Sequence, residues 1–392
     1  MVARRRRLGA GPLDRPRDRA ARGAARRHGP GSRPRGPRGV TALRRSARHP
    51  GVTVLVTGAA GLVGTHVLDA LRARGEQPRA LVRDRSQAVV AAFGAEAVGG
   101  DVTDANAWER ASRGVDAIIH SAALVASHDS LDEFTRVNVG GTRLAIEAAR
   151  RTGARLIHVS TVAVYGRAAV YAAGEQGGSV SEDYPLQPLP AADYYARSKR
   201  AAEQLVQDEA ARGGLSAVAI RPNVIYGERD LLFTRRLIAN LRRGFLPQIG
   251  PGTNHLSCVY AGNVASAILA ALDAPAKPGF RAYNVTRDAP PPLTQREFFA
   301  AFAESLGLRP LRLPVPVPLI QIGVAVWSAL MRLILPGRYT ALGNSAMSFI
   351  LGENPYSVER IHRELGWRPP FDTRTAIARS VTETKSPGGA RA

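Results

Sequence analysis

Val52-Thr-Val-Leu-Val-Thr57, followed at once by Gly58-Ala-Ala-Gly-Leu-Val-Gly64, is the stretch on which the fold turns. The first six residues are short, apolar and β-branched, the pattern of a strand buried in a parallel sheet. Gly58, Gly61 and Gly64 follow a G-x-x-G-x-x-G spacing, and Val67, Leu68 and Leu71 then recur with helical period until Gly75. A strand, a glycine turn and a helix, in that order, form a cradle for a pyrophosphate. Gly58 permits the tight turn, Gly61 lets the backbone approach the phosphate, and Gly64 lets the helix pack close to the sheet. The anion then sits at the helix N-terminus, where unpaired N–H groups and the dipole favour negative charge.

Outward from this stretch, Arg79–Arg83, Ala117–His120, Leu156–Ser160 and Ala217–Ile220 read as further strands, separated by helical stretches that include 131–151 and 193–212. Such alternation predicts an α/β fold, a Rossmann-type doubly wound parallel sheet with a smaller C-terminal substrate lobe. Ligands of such sheets bind at the carboxyl ends of the strands. Residues 51–222 are read as the dinucleotide-binding domain that also carries the catalytic residues. Residues 223–385 are read as mainly a substrate-binding lobe interleaved with the last strands, and 386–392 as a frayed tail.

Ahead of residue 51 the composition changes. Residues 1–50 hold sixteen Arg, no Lys, and only Asp14 and Asp18 as acids, so this segment carries +14 of the chain's net +22. It has almost nothing to bury and reads as a disordered tail. No aromatic residue stands among the arginines to stack on a base, so specific nucleic-acid binding is not expected. The segment also lacks the apolar run of a secretory signal. A single cysteine, Cys258, excludes a disulfide framework and a multi-cysteine metal site, as suits a reducing cytosol.

The end of the second strand selects the dinucleotide. An acid there holds the ribose hydroxyls of NAD, and an Arg accommodates the extra phosphate of NADP. Arg83 occupies the position, 19 residues past Gly64, with Asp84 and Arg85 after it. A guanidinium grips a phosphate through paired hydrogen bonds, so NADP(H) is favoured. Asp84 keeps NAD(H) open if the register slips by one. Asp101-Val102 follows the third strand, where the carboxylate either accepts from an adenine amino group or caps a helix around 101–104.

Tyr195-Ala-Arg-Ser-Lys199 falls in a predicted helix, where positions four apart share a face. A phenol beside an ammonium becomes a usable acid/base near neutrality, because the cation favours the phenolate. Tyr194 is adjacent, but the four-residue spacing selects Tyr195. Ser160 and Thr161 open Ser-Thr-Val-Ala-Val-Tyr-Gly166 at a strand end. A hydroxyl there either holds a substrate oxygen or caps the following turn.

These motifs together resemble the extended short-chain dehydrogenase/reductases, that is, the NAD-dependent epimerase/dehydratase superfamily. The match runs through TGAAGLVG at 57–64, HSAA at 120–123, NVGGT at 138–142, STVAVYG at 160–166, YARSK at 195–199 and RPNVIYG at 221–227, and spans roughly 52–370. The resemblance implies that Thr161, four residues before the Tyr of VYG, is the catalytic hydroxyl. It implies that Tyr195 is the acid/base, that Lys199 lowers its pKa and holds the nicotinamide ribose, and that Asn138 supports the site. It further implies that Thr57, Ala60, Leu62, Val63, Ala122, Ala123, Pro222 and Val224 line the cofactor, together with the glycines. Leu81-Val-Arg-Asp84, Val259-Tyr-Ala-Gly-Asn-Val-Ala265 and Leu365-Gly-Trp-Arg-Pro369 are similar to the 3β-hydroxysteroid dehydrogenase and dihydroflavonol reductase-like branch. Two departures stand out. The stretch between Thr161 and Tyr195 is long and Gly-rich at 174–178, and Arg83 replaces an acid common in the family. Homodimers are frequent among such proteins, so a homodimer is an expectation of the resemblance.

Residues 313–335 form an apolar run broken by Pro314, Pro316 and Pro318 and containing Arg332. The part beyond Pro318 is too short to span a bilayer comfortably. Two readings remain, a core or lid helix of the substrate lobe, which is preferred, or a helix over 318–335 lying on a membrane surface. Both favour a hydrophobic small-molecule substrate. A cytoplasmic protein, with peripheral membrane contact under the second reading, is expected.

Overall fold

The computed structural model describes residues 52–125, 130–166, 170, 177–309, 311–316, eight positions between 318 and 330, and 352–385. The tails expected at 1–50 and 386–392 lie outside the described residues.

The stretch from Val52 to Gly64 forms β1 (Val54–Thr57), a glycine turn and the start of α1 (Leu62–Ala73). All four β1 residues are buried, because helices cover both faces of the sheet. Next come β2 (Arg79–Val82), α2 (Gln87–Ala92), β3 (Glu96–Gly99), α3 (Ala105–Ala111) and β4 (Ala117–His120). A helical stretch continues as α4 (Leu131–Phe134), a π-helical turn (Thr135–Gly140) and α5 (Gly141–Thr152). Then come β5 (Arg155–Val159), α6 (Tyr194–Ala211) and β6 (Ser216–Pro222). The sheet is completed by β10 (Gly279–Val285), which pairs parallel with β6 along its whole length.

The order across the seven-stranded sheet is β3-β2-β1-β4-β5-β6-β10, with every pair parallel. Connections run one way from β1 to β3 and the other way from β4 onward. The crevice at the carboxyl ends of β1 and β4 is therefore the switch point where such sheets bind ligands. The strands lie within one or two residues of their sequence-based positions. Arg83 falls just past β2, where it opens a 3₁₀ turn over Asp84–Ser86.

After Pro222 the chain builds the second lobe. β7 (Val224–Tyr226) pairs with β9 (Cys258–Tyr260), and β8 (Phe245–Ile249) pairs with β11 (Leu311–Val315). The lobe's helices are α7 (Phe233–Arg242), α9 (Gln295–Leu306) and α11 (Thr373–Lys385). They bury Tyr226, Leu237, Leu241, Phe298, Phe302 and Ile377 in one cluster. α8 (Ala261–Asp273) and α10 (Glu359–Leu365) instead pack on the main sheet through Ile268, Leu269 and Ile361. The described positions between 318 and 330 are helical but exposed, so they are not part of the core.

Candidate active site

The glycine turn is fixed by backbone contacts that admit no side chain. Gly58 adopts φ +66°, and a Cβ on it would lie 2.6 Å from the Ala122 nitrogen. The turn is thus pressed against the loop that leaves β4. A Cβ on Gly64 would lie 2.2 Å from the Gly58 carbonyl oxygen and 2.5 Å from Ala59 Cα. Gly64 therefore closes the helix onto the turn itself, rather than onto the sheet as its spacing suggested. Gly61 is exposed and stands at the N-cap of α1, where no side-chain hydrogen bond closes the helix end. Ala60, Leu62 and Val63 rim this open end, all partly exposed. Free N–H groups facing an uncovered glycine suit a pyrophosphate.

Thr57 is placed behind the turn. Thr142 donates its hydroxyl to the Asn138 carbonyl at 2.7 Å, so it accepts from His120 Nε2 at 3.1 Å. His120 Nδ1 is then the acceptor and takes the Thr57 hydroxyl at 2.8 Å. Burial and nearby Lys199 hold the His120 imidazole down at about 3, so it stays neutral. Thr57 is fully buried and braces the turn from below; its hydroxyl does not face the crevice.

At the far end of the crevice Arg83 is exposed, and among the described residues no hydrogen bond or ion pair engages its guanidinium. The Asp84 carboxylate is held by Gln87 Nε2 at 2.8 Å. Asp101 Oδ1 accepts from the Thr103 amide at 3.0 Å and hydroxyl at 2.8 Å, so it shapes the turn, while Asp104 caps α3. Of the two readings for Asp101, the turn role is visible. Its neighbour Val102 packs beside Gly141.

α6, which carries Tyr195 and Lys199, is capped by Asp193, whose side chain accepts from the Ala196 amide at 3.0 Å. Tyr194 turns aside, its ring edge-on to Phe134 at 6.5 Å. Tyr195 remains on the face of Lys199, one turn away. Ser198 donates back to the Tyr195 carbonyl and accepts from Asn138 Nδ2 at 2.9 Å. Asn138 also clamps both backbone groups of Leu124, at 2.7 and 3.1 Å. It is a positioning residue that ties the loop bearing Ala122 and Ala123 to α6. It does so from a π-helical turn, a local irregularity frequent at functional sites.

Lys199 is buried, and its Nζ donates to the Val159 carbonyl at the end of β5 at 2.7 Å. A second, longer contact runs from Nζ to His158 Nε2 at 3.4 Å. An ammonium cannot accept, so His158 presents its bare Nε2 and keeps its proton on Nδ1. Burial first, then Lys199 and His120, push the His158 imidazole well below its ordinary value. Burial likewise lowers Lys199 to about 8, partly countered by Glu203. The helix is pinned to β6 by Glu203, whose two oxygens share the single Arg221 Nε–H at 3.1 Å each and which accepts a further bond from its Nη2. Arg221 Nη1 reaches the buried Tyr165 hydroxyl of the VYG motif at 2.6 Å.

Thr161 lies two residues past β5, whose last carbonyl Lys199 engages. Its Oγ1 accepts from the Ala163 amide at 3.2 Å, which caps the 3₁₀ turn Val162–Tyr165 and leaves its hydroxyl hydrogen to donate. The cap and the substrate-orienting role are compatible. Three buried polar atoms around this edge lack a protein partner, namely Ser160 Oγ, His158 Nδ1 and Asn223 Oδ1. Asn223 stands between Pro222 and Val224, where β6 hands over to β7. The uncapped helix, the glycine cradle and Lys199 at the crevice floor fit a nicotinamide dinucleotide laid across the switch point. His158, Ser198, Asn223 and the Glu203–Arg221 pair were not singled out from the sequence. Ser198, Arg221 and Asn223 lie within the YARSK and RPNVIYG motifs, but the partners that give all of these residues their roles come from other elements. Among the described residues no cluster of His, Cys, Asp or Glu could hold a metal.

Comparison with known proteins agrees with this geometry. The profile of the NAD dependent epimerase/dehydratase family matches residues 54–286. The chain is 32% identical over 314 residues to the 4-hydroxy-2-methyl-3-oxo-4-farnesyl-3,4-dihydroquinoline-1-oxide ketoreductase of Stigmatella aurantiaca, covering 80% of this chain and 90% of that one. It is 29% identical over 340 residues to a 3 beta-hydroxysteroid dehydrogenase/Delta 5-->4-isomerase of Mycobacterium tuberculosis, covering 83% and 88%. Among solved structures it superimposes on the NAD complex of Thermus thermophilus UDP-glucose 4-epimerase with a TM-score of 0.62 and 25% identity, covering 84% and 98%. The chain belongs to the NAD dependent epimerase/dehydratase family and is an extended short-chain dehydrogenase/reductase enzyme that uses a nicotinamide cofactor.

Proposed function

We propose that this enzyme interconverts a secondary alcohol and a ketone on a hydrophobic substrate of sterol-like, β-keto-acid or polyketide-like type, with NADP(H) preferred over NAD(H). The observation that carries the reaction type is the placement of Lys199, buried, anchored to the Val159 carbonyl at the end of β5 and one helical turn from Tyr195. When bound, the nicotinamide supplies or accepts the hydride at the carbinol carbon. Thr161 donates its hydroxyl hydrogen to the substrate oxygen and so orients it. Tyr195 passes its proton to that oxygen in reduction and takes it back in oxidation. The Lys199 ammonium favours the Tyr195 phenolate and thereby sets the proton's availability.

An apolar substrate is supported by the loop that leaves β4, which exposes Val125, and the loop that leaves β7, which exposes Leu231 and Leu232. The ketoreductase and steroid dehydrogenase relatives point the same way. For the cofactor, Arg83 stands exposed where a 2′-phosphate would lie, and Asp84 is turned to Gln87. Titration by cofactor fluorescence is expected to give tighter binding of NADPH than NADH. Arg83→Ala then weakens NADPH binding roughly tenfold and leaves NADH binding unchanged. Equal binding of the two cofactors by the wild type refutes the NADP(H) preference.

The second reading is nucleotide-sugar epimerisation, favoured by the likeness to the UDP-glucose 4-epimerase. The two separate cleanly. An apolar ketone consumes NADPH mole for mole, whereas epimerisation of UDP-glucose shows no net redox change.

A further inference from the structure

Between Glu304 and Glu353 the chain contains four arginines, at 309, 312, 332 and 338, and no acidic residue. Within this run the described positions from 318 to 330 are helical. Leu319, Ile322, Val326 and Leu330 are exposed by 61%, 61%, 63% and 45%. Spacings of three, four and four residues place them within about 80° of one another around the helix. The other large apolar residues that the described surface exposes are scattered singly or as a pair; here four share one helical face. Such a face marks an interaction site. Among the described residues no helix is long and apolar enough to cross a membrane.

We propose that the helical face formed by Leu319, Ile322, Val326 and Leu330 docks on a bilayer carrying anionic phospholipid headgroups. An apolar face set in a stretch with cations and no acids is the pattern of a helix lying in the interfacial plane. Arginines in the same stretch of sequence are of a type attracted to the negative surface potential of such a leaflet. Trp327, in the same stretch of sequence, is of a type enriched at that depth. A second copy of the chain is the poorer occupant. A two-fold contact is self-complementary, so it would bring the cationic, acid-free stretches of both copies together with no acid from that stretch to neutralise them. The proposal goes beyond the reaction proposed above, and its test needs no substrate.

The test is vesicle flotation of the full chain with equimolar phosphatidylglycerol and phosphatidylcholine, compared with phosphatidylcholine alone. The wild type is expected to float with the anionic vesicles and to lose most of that binding on the neutral ones. Ile322→Asp combined with Val326→Asp is expected to lower the floated fraction at least about tenfold, since binding scales with the buried apolar face. Both positions are exposed, so cofactor binding and melting temperature should not move. Ile322→Leu with Val326→Leu should float like the wild type. Flotation of the aspartate variant at the wild-type level overturns the proposal, as does a wild type that floats with neither vesicle. A lipid-free dimer that the aspartate variant abolishes, without vesicle binding, also overturns it and assigns the face to a second copy.

Discussion

At the residue scale, the site is organised around a buried cation whose function costs stability. Lys199 has its ammonium disfavoured by burial, with its pKa held at about 8 instead of 10.5. Below pH 8 the group is charged in both the folded and unfolded chains, so the full penalty applies. Between 8 and 10.5 the unfolded chain still binds the proton that the folded chain has released, so stability rises with pH and the penalty disappears. The shift corresponds to about 3 kcal/mol, of which the lost bond to the Val159 carbonyl offsets about 1 kcal/mol when the side chain is removed. Lys199→Met is therefore expected to melt above the wild type at pH 7 by calorimetry, with the gap closing toward pH 10.5. A variant that melts at or below the wild type at pH 7 contradicts this. In the wild type, kcat/KM should fall above about pH 8, where the free enzyme loses the charge beside Tyr195. Tyr195, Lys199 and Thr161 were legible because spacing and motif name them. His120 and His158 were not, because their pairing arises from the parallel register of β4 and β5, which sets them side by side.

At the scale of elements, the glycine turn shows how a loop is specified by what it excludes. Gly64→Ala would force a Cβ into the backbone of Gly58 and Ala59, neither of which can swing away. The variant is expected to lose about 1–3 kcal/mol of stability, in the range of overpacking, and to bind cofactor at least about tenfold more weakly because the cradle opens. Urea unfolding and fluorescence titration check both, and wild-type cofactor affinity in Gly64→Ala would show that the turn does not hold the dinucleotide. Five of the sheet's first six strands, all but β3, could be read to within one or two residues, since β1, β4 and β5 are wholly buried and mostly apolar or β-branched. The strands of the second lobe could not. β7 and β9 are three residues long, and β8 and β11 carry Pro247 and Pro314, which locally read as breakers. β10 was also missed, for it lies far along the chain and joins the sheet only through β6.

At the scale of the whole molecule, charge and chemistry are segregated. The first fifty residues hold +14 of the net +22, and the family match begins at residue 54. A chain beginning at residue 51 is expected to keep kcat, KM and melting temperature within error of the full chain, measured side by side. A large loss of activity would give the arginine-rich segment a catalytic role. The candidate site residues, in contrast, gather at the carboxyl edge of the sheet, on the glycine turn after β1, the loops after β4 and β5, and α6. The most direct test of the proposed reaction is NADPH-dependent turnover of an apolar ketone by the wild type and by Tyr195→Phe. The wild type is expected to form the alcohol stoichiometrically with NADPH consumed. Tyr195→Phe is expected to show a kcat lower by about 10²–10⁴, the range for a lost general acid, with NADPH affinity unchanged. A Tyr195→Phe enzyme that turns over at the wild-type rate, or a wild type that leaves apolar ketones untouched while epimerising UDP-glucose, contradicts the proposed reaction.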